Sequence, residues 1–134
     1  MKPDIKKLSI PVFCLYLTAV ALICFLKPSS LPEVDIKTFL GLPIDKCLHF
    51  LMFLPYPVLA SMVFMRDSNG FFINIVTLVI LMMVGTGISY GTELIQAQTG
   101  YRSYEIADFY ADVIGIATGS VAVAAYLIHT RLKI

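Results

Sequence analysis

The chain has 134 residues, 58% of them hydrophobic and 14% charged, with a net charge of +1. A soluble domain averages about 45–50% apolar and about 25% charged, so this composition indicates a membrane protein, and the length suits one domain spanning residues 1–134. No basic stripe is present to neutralise phosphates, which argues against nucleic acid as a partner, and Cys14, Cys24 and Cys47 have no paired spacing that would indicate zinc or a redox couple.

The first apolar run covers residues 9–26, after Lys6 and Lys7. A spanning helix needs about 20 mostly apolar residues, and this run meets that length. It also resembles a signal peptide, but the small-residue pattern near Pro28–Ser30 is poor for cleavage, so an uncleaved first helix is expected. The segment from Lys27 to Ile44 follows, interrupted by Pro28, Pro32 and Pro43, with Leu31, Val34, Phe39 and Leu42 giving it an apolar side. It reads either as a short interfacial or re-entrant piece or as a plain connection.

The second run, 48–65, contains Pro55 and Pro57, which remove backbone donors and predict a kink. It opens with Asp45-Lys46-Cys47-Leu48-His49-Phe50. Asp45 and His49 are four apart and share a helix face. A carboxylate one turn before an imidazole can fix its tautomer, whereas Asp45 taken alone reads as an N-cap. Arg66-Asp67-Ser68-Asn69-Gly70 is a tight turn by composition, so the third run, 71–92, lies antiparallel to the second. The third helix is expected to end around Glu93 and Gln96, which share a face. A glutamate at a helix C-terminus meets the unfavourable end of the helix dipole, so a cation from another segment is expected beside it. Gly87 and Gly91 offer a small-residue step for close helix approach.

The fourth run, 106–128, follows Arg102 and Glu105. Asp108, Asp112, Gly115 and Gly119 fall close to one stripe, with Asp112 about one turn deeper than Asp108. A carboxylate at that depth is expected to face the bundle interior rather than lipid. Ser89, Thr92 and Ser103 read as ordinary hydroxyls.

The expected fold is therefore all-α, an integral membrane bundle of four transmembrane helices. Lys2, Lys6, Lys7, Arg66, Arg131 and Lys133 lie on one side, and Lys27, Lys37, Lys46 and Arg102 on the other. That bias puts both termini in the cytoplasm and the chain in the cytoplasmic (inner) membrane.

Asp45, Lys46, His49, Glu93, Gln96, Arg102, Asp108 and Asp112 all fall at the outer membrane level in this reading, and they are the ligand-binding candidates. Ionisable groups at membrane depth are costly and mark working sites or structural locks. Three roles stay open. The cluster is a pocket that binds an anionic headgroup through Lys46 and Arg102, or a divalent cation through the carboxylates. Alternatively, His49 with Asp45 forms an acid–base pair in an enzyme acting on a lipid-linked substrate. Or the groups form a purely structural polar network. No nucleophile elbow, phosphate-binding glycine loop or H-E-x-x-H pattern supports the enzyme, and no resident cofactor is evident. No inverted repeat is evident either, and four helices are few for a transporter unless the chain oligomerises.

Asp45-Lys46-x-x-His49-Phe50 at the start of a membrane helix, with Glu93, Gln96, Arg102, Asp108 and Gly115 in order behind it, resembles the signature of the VanZ-like family over roughly residues 8–128. Asp112 departs from the pattern, because family members often carry asparagine there. The resemblance implies a small multi-pass bacterial membrane protein, and the first functional expectation is that its outer-level pocket recognises a cell-envelope component, with membrane lipids or a lipid-linked cell-wall precursor as partners. The member that named the family is linked to low-level resistance to the glycopeptide teicoplanin.

Overall fold

The structure, a computed structural model, describes residues 3–26, 37–100 and 102–132. In chain order these form α1 (Pro3–Phe25), a two-stranded hairpin of β1 (Thr38–Phe39) and β2 (Leu42–Pro43), α2 (Ile44–Phe53), α3 (Tyr56–Phe64), α4 (Phe71–Gln98) and α5 (Ile106–Leu132). The chain is an all-α multi-pass membrane protein. Lys6–Phe25, Ile44–Phe64, Phe71–Gln98 and Ile106–Leu132 are each long and apolar enough to cross a membrane.

Burial is inverted relative to a soluble bundle. Leu15, Phe72 and Val121 stand outward and exposed, while Asp112 and Ser89 are fully buried and Glu93 nearly so. Apolar side chains on the outside suit a hydrocarbon solvent, in which polar groups must be satisfied inside. The apolar core lies at mid-height, where Val20, Phe53, Tyr56, Ala60, Leu81 and Ile116 meet.

The second span carries the expected interruption at Pro55, with Leu54 and Pro55 both keeping right-handed helical dihedrals. Leu54 and Pro55 form a turn between α2 and α3, because the proline nitrogen cannot continue the hydrogen-bond ladder. Beside the break, the Met52 carbonyl accepts a hydrogen bond from the Tyr16 hydroxyl of α1 at 2.7 Å. The turn at 66–70 returns the chain, and α3 and α4 pack as antiparallel neighbours. Asn74, buried, donates to the Arg66 carbonyl at 3.3 Å and fastens that turn.

Two glycines of α5 set how closely α2 and α3 approach. A Cβ at Gly115 would lie 2.5 Å from the Phe50 carbonyl oxygen, and one at Gly119 would overlap the Leu54 carbonyl oxygen. The expected seam at Gly87 and Gly91 is not used, since neither has a neighbour within 4 Å of such a Cβ. On α4 the close approach is at Gly85, which lies under the Tyr56 ring.

The third helix runs past the end of its apolar run at 92, through Glu93 and Gln96, and stops at Gln98. Gly100 has φ of 73°, the left-handed conformation in which helices commonly end. At 28 residues this helix is about 42 Å long against a hydrocarbon core of about 30 Å, so one end or both reach the headgroup level. Of the proline-interrupted segment expected between 27 and 44, residues 27–36 lie outside the described residues. The remainder includes the hairpin, whose turn residues Leu40 and Gly41 both have positive φ. It is tied to α2 by the Ile44 amide donating to the Lys37 carbonyl.

Candidate functional site

All eight candidate residues lie at the end of the bundle where α2 and α5 begin and α4 finishes. Two of them, Lys46 and His49, each collect several carboxylates. Lys46 Nζ donates to Asp45 Oδ2 at 2.8 Å, to Glu105 Oε2 at 2.5 Å and to Asp108 Oδ1. His49 Nδ1 donates to Asp112 Oδ1 at 2.9 Å. Glu93 Oε1 is 3.7 Å from the same nitrogen, and Asp108 Oδ2 is 3.6 Å from Nε2. Asp108 therefore touches both basic groups, one with each oxygen.

The helices explain this convergence. α2 and α5 cross closely at Gly115, which brings the first turns of both helices together. Lys46 and His49 are three apart on α2 and face α5 one above the other. Asp108 and Asp112, four apart on α5, meet them at matching heights. Glu93 arrives from α4 as part of a polar stripe, Ser89-Thr92-Glu93-Gln96, spaced at helical period and buried throughout. Ser89 donates to Asp112 Oδ2 at 2.7 Å. That hydroxyl is a working partner of the site, not an ordinary one, and its position four residues before Glu93 is the signal that marks it.

Asp45 does not orient His49, contrary to the helical spacing. Its carboxylate turns to Lys46, and Asp112 takes the imidazole instead. The i,i+4 relation sets two residues on one face, but a carboxylate on a closely packed neighbouring helix meets the ring more directly. Nor is Asp45 an N-cap. Pro43 holds that position, with no side-chain cap, and Asp45 lies in the first turn. The cation expected beside Glu93 is supplied only in part. Its nearest basic group is the imidazole, and Glu93 Oε1 has no hydrogen-bond partner although the residue is 1% exposed. Glu93 also sits more than a turn before the end of α4, away from the helix terminus.

Gln96 leaves the carboxylates and donates to the Cys24 carbonyl of α1 at 2.9 Å, which ties α1 to α4. Arg102 lies in the connector before α5 and forms no ion pair among the described residues.

Beside this network is a cavity of about 680 Å³. Its floor and walls are apolar, from Ala19, Val20 and Ile23 of α1, Leu48 and Leu51 of α2, and Pro55 between α2 and α3. Its polar end carries Asp45, His49, Gln96, Arg102, Glu105 and Asp108. From Asp45 to Pro55 the α2 wall descends about 15 Å at the rise of a helix. α1 packs along α3 and α4 but touches α2 only slightly, so the cavity occupies the cleft between α1 and α2. Glu93, Asp112 and Ser89 are not in its lining; they lie behind the His49 ring. Tyr16 and Cys24 also line the cavity.

Two groups of acidic and imidazole side chains bring their ligand atoms within 4.8 Å of one another, as a metal site requires: His49, Glu93 and Asp112, and separately Asp45, Glu105 and Asp108.

Compared with protein-family models, with curated proteins and with solved structures, the chain matches none.

Proposed function

We propose that this chain is a VanZ-like membrane protein whose cleft between α1 and α2 receives an amphiphilic component of the cell envelope, a lipid with an anionic headgroup. The observation that carries this reading is the two-ended cavity: apolar walls about 10 Å deep beneath a polar end that contains Arg102, a guanidinium with no ion pair among the described residues. Pockets for such ligands are mostly apolar with a few placed polar groups, at volumes of about 300–1,000 Å³. Arg102 binds the phosphate or pyrophosphate of the headgroup as a planar fork, and the chain of the lipid runs down between α1 and α2.

Lys46 has a different part from the one its sequence position implies. Three carboxylates already occupy its ammonium, so it braces the polar end rather than contacting the ligand. In this reading both termini are cytoplasmic, the membrane is the inner membrane, and the cleft opens at the outer face, where lipid-linked cell-wall precursors are found. A divalent cation belongs to the acidic side of the site. A link to teicoplanin resistance is a property of the family's naming member, and this chain's own role is recognition.

The test is binding of a polyprenyl phosphate to the full chain in nanodiscs. The phosphate form should bind, and Arg102→Ala should weaken it about tenfold or more, the value of a lost charge-assisted contact. Equal binding of the uncharged polyprenol, or an Arg102→Ala variant that binds as wild type does, would sink the reading.

A second reading has its own observation. The His49 ring lines the cavity while Asp112 holds Nδ1 at 2.9 Å, the arrangement of an oriented acid–base pair. Turnover of a labelled lipid-linked precursor by the purified chain, abolished in Asp112→Asn, would establish it. A chain that binds the lipid and leaves it unchanged would remove it.

A further inference from the structure

We infer that His49 Nδ1, Glu93 Oε1 and Asp112 Oδ1 form a binding site for a divalent transition-metal ion, of the zinc or manganese class, behind the wall of the cleft. The site goes beyond lipid recognition and does not depend on it, because two of its three ligands lie outside the cavity lining.

The first observation is geometric. A four-coordinate ion with ligands at about 2.0–2.2 Å holds them about 3.4 Å apart. His49 Nδ1 lies 2.9 Å from Asp112 Oδ1 and 3.7 Å from Glu93 Oε1, on either side of that value. The second observation is independent. Glu93 is 1% exposed and its Oε1 has no hydrogen-bond partner. A buried carboxylate oxygen left bare is costly, and this one points at the imidazole nitrogen beside a second buried carboxylate.

The surroundings suit a metal as well. Ser89 occupies Asp112 Oδ2, which leaves Oδ1 directed inward. On binding, the ion takes the Nδ1 lone pair, and the neutral ring changes tautomer: the hydrogen on Nδ1 is given up there and one is taken up at Nε2, with no net change in protons on the ring. The other ring nitrogen, Nε2, then carries the hydrogen and faces Asp108 Oδ2 at 3.6 Å. A metal-bound histidine characteristically presents its second nitrogen to a carboxylate in this way. One imidazole and two carboxylates make a mixed nitrogen–oxygen set, which selects zinc or manganese over magnesium and calcium. The other acidic group, Asp45, Glu105 and Asp108, makes no such claim, because the Lys46 ammonium already sits among its oxygens.

The test uses the full chain in detergent, stripped with chelator and titrated with Zn²⁺ or Mn²⁺ alone, with no lipid. Metal content per chain after desalting and the thermal unfolding midpoint are both read. About one ion per chain is expected, with a rise in the midpoint as a ligand of the folded state produces. Glu93→Gln should lower the affinity about tenfold or more while leaving the fold intact, since it is isosteric and its Oε1 has no hydrogen bond to lose. Asp45→Asn should bind as wild type does. Should Asp112→Asn or His49→Ala fail to fold, the Glu93→Gln titration and the visible spectrum of bound Co²⁺ in the wild type still decide the matter. Any of three results would overturn the inference: no retained metal, binding undiminished in Glu93→Gln, or magnesium bound as tightly as zinc. Failure of the polyprenyl phosphate to bind leaves it standing, and loss of the metal site leaves lipid recognition standing, so the two readings fail separately.

Discussion

Lys46 and His49 stand one turn apart on α2, and each faces three carboxylates, with Asp108 common to both sets. What separates them is water. The Lys46 side chain is 18% exposed, and Asp45 and Glu105 around it are half exposed. His49 is buried, and Glu93 and Asp112 beside it even more so. Near solvent, a permanent cation among three acids forms a saturated brace, and the excess negative charge remains hydrated. In the dry position there is no permanent cation, two carboxylates converge on one imidazole, and one oxygen is left bare. The same pattern of residues thus yields a saturated brace at the rim and, one turn below, a buried cluster with one carboxylate oxygen unpaired.

The comparison breaks most completely if the helices that carry both clusters are forced apart. Gly115→Val would drive side-chain atoms into the Phe50 carbonyl, which lies 2.5 Å from the position of a Cβ. Overpacking of this kind costs about 3 kcal/mol, at the upper part of its usual range. Chemical denaturation in detergent should show that loss, together with loss of metal retention and of lipid binding. A variant with wild-type stability would mean that α2 and α5 do not need this contact to hold the site.

Asp108→Asn acts on both clusters without moving the helices. It removes the one negative charge that faces both the Lys46 ammonium and His49 Nε2. A lost charge-assisted contact is worth about 2 kcal/mol. Stability should fall by that order, and zinc affinity should fall as well, which would show that the shared carboxylate supports the deeper site. If stability falls and zinc affinity does not, the two clusters are independent and the shared carboxylate is incidental.

Much of the architecture was legible in the residues. Four apolar runs of spanning length gave four spans, since apolar length is decisive in hydrocarbon. Convergence at one end followed from where Asp45, Glu93 and Asp108 fall in those runs. The end of α4 was not legible, because hydropathy reads a charged residue as the edge of a span. Glu93 and Gln96 are covered by other helices, and the turn at Gly100 ends the helix instead. Partner choice was hidden for a related reason. Spacing on α2 places Asp45 and His49 on one face, but the oxygen nearest the ring comes from Asp112, 63 residues later. The role of Ser89 was available in the polar stripe it shares with Glu93, and that stripe stands out only when polar residues in an apolar helix are read at helical period.

Lys46→Met tests the hydrated half of the comparison. Without the ammonium, Asp45, Glu105 and Asp108 repel one another at short range. Because Asp45 and Glu105 are half exposed, the cost should be only about 1 kcal/mol, and it should shrink as salt rises toward about 1 M, where the screening length is about 3 Å. The deeper cluster is shielded from ions, so a destabilised Asp112→Asn variant should not regain stability with salt. Equal salt responses in both variants would erase the distinction between the wet and the dry cluster.

The smallest stability effect is expected where the side chain is most buried. In the metal-free chain, Glu93→Gln keeps the shape of the side chain and removes a charge that no hydrogen bond satisfies at Oε1. Breaking a matched buried pair destabilises strongly, whereas removing an unmatched buried charge relieves a desolvation cost. The unfolding midpoint of metal-free Glu93→Gln should therefore equal or exceed that of the wild type, even though Glu93 is among the least exposed residues of the chain. Zinc should reverse the order by raising the wild-type midpoint more than the variant's. Destabilisation of the metal-free variant would show that Glu93 already has a full partner in His49. The dry cluster would then be a closed network like its neighbour at the rim, and not a set of ligands awaiting an ion.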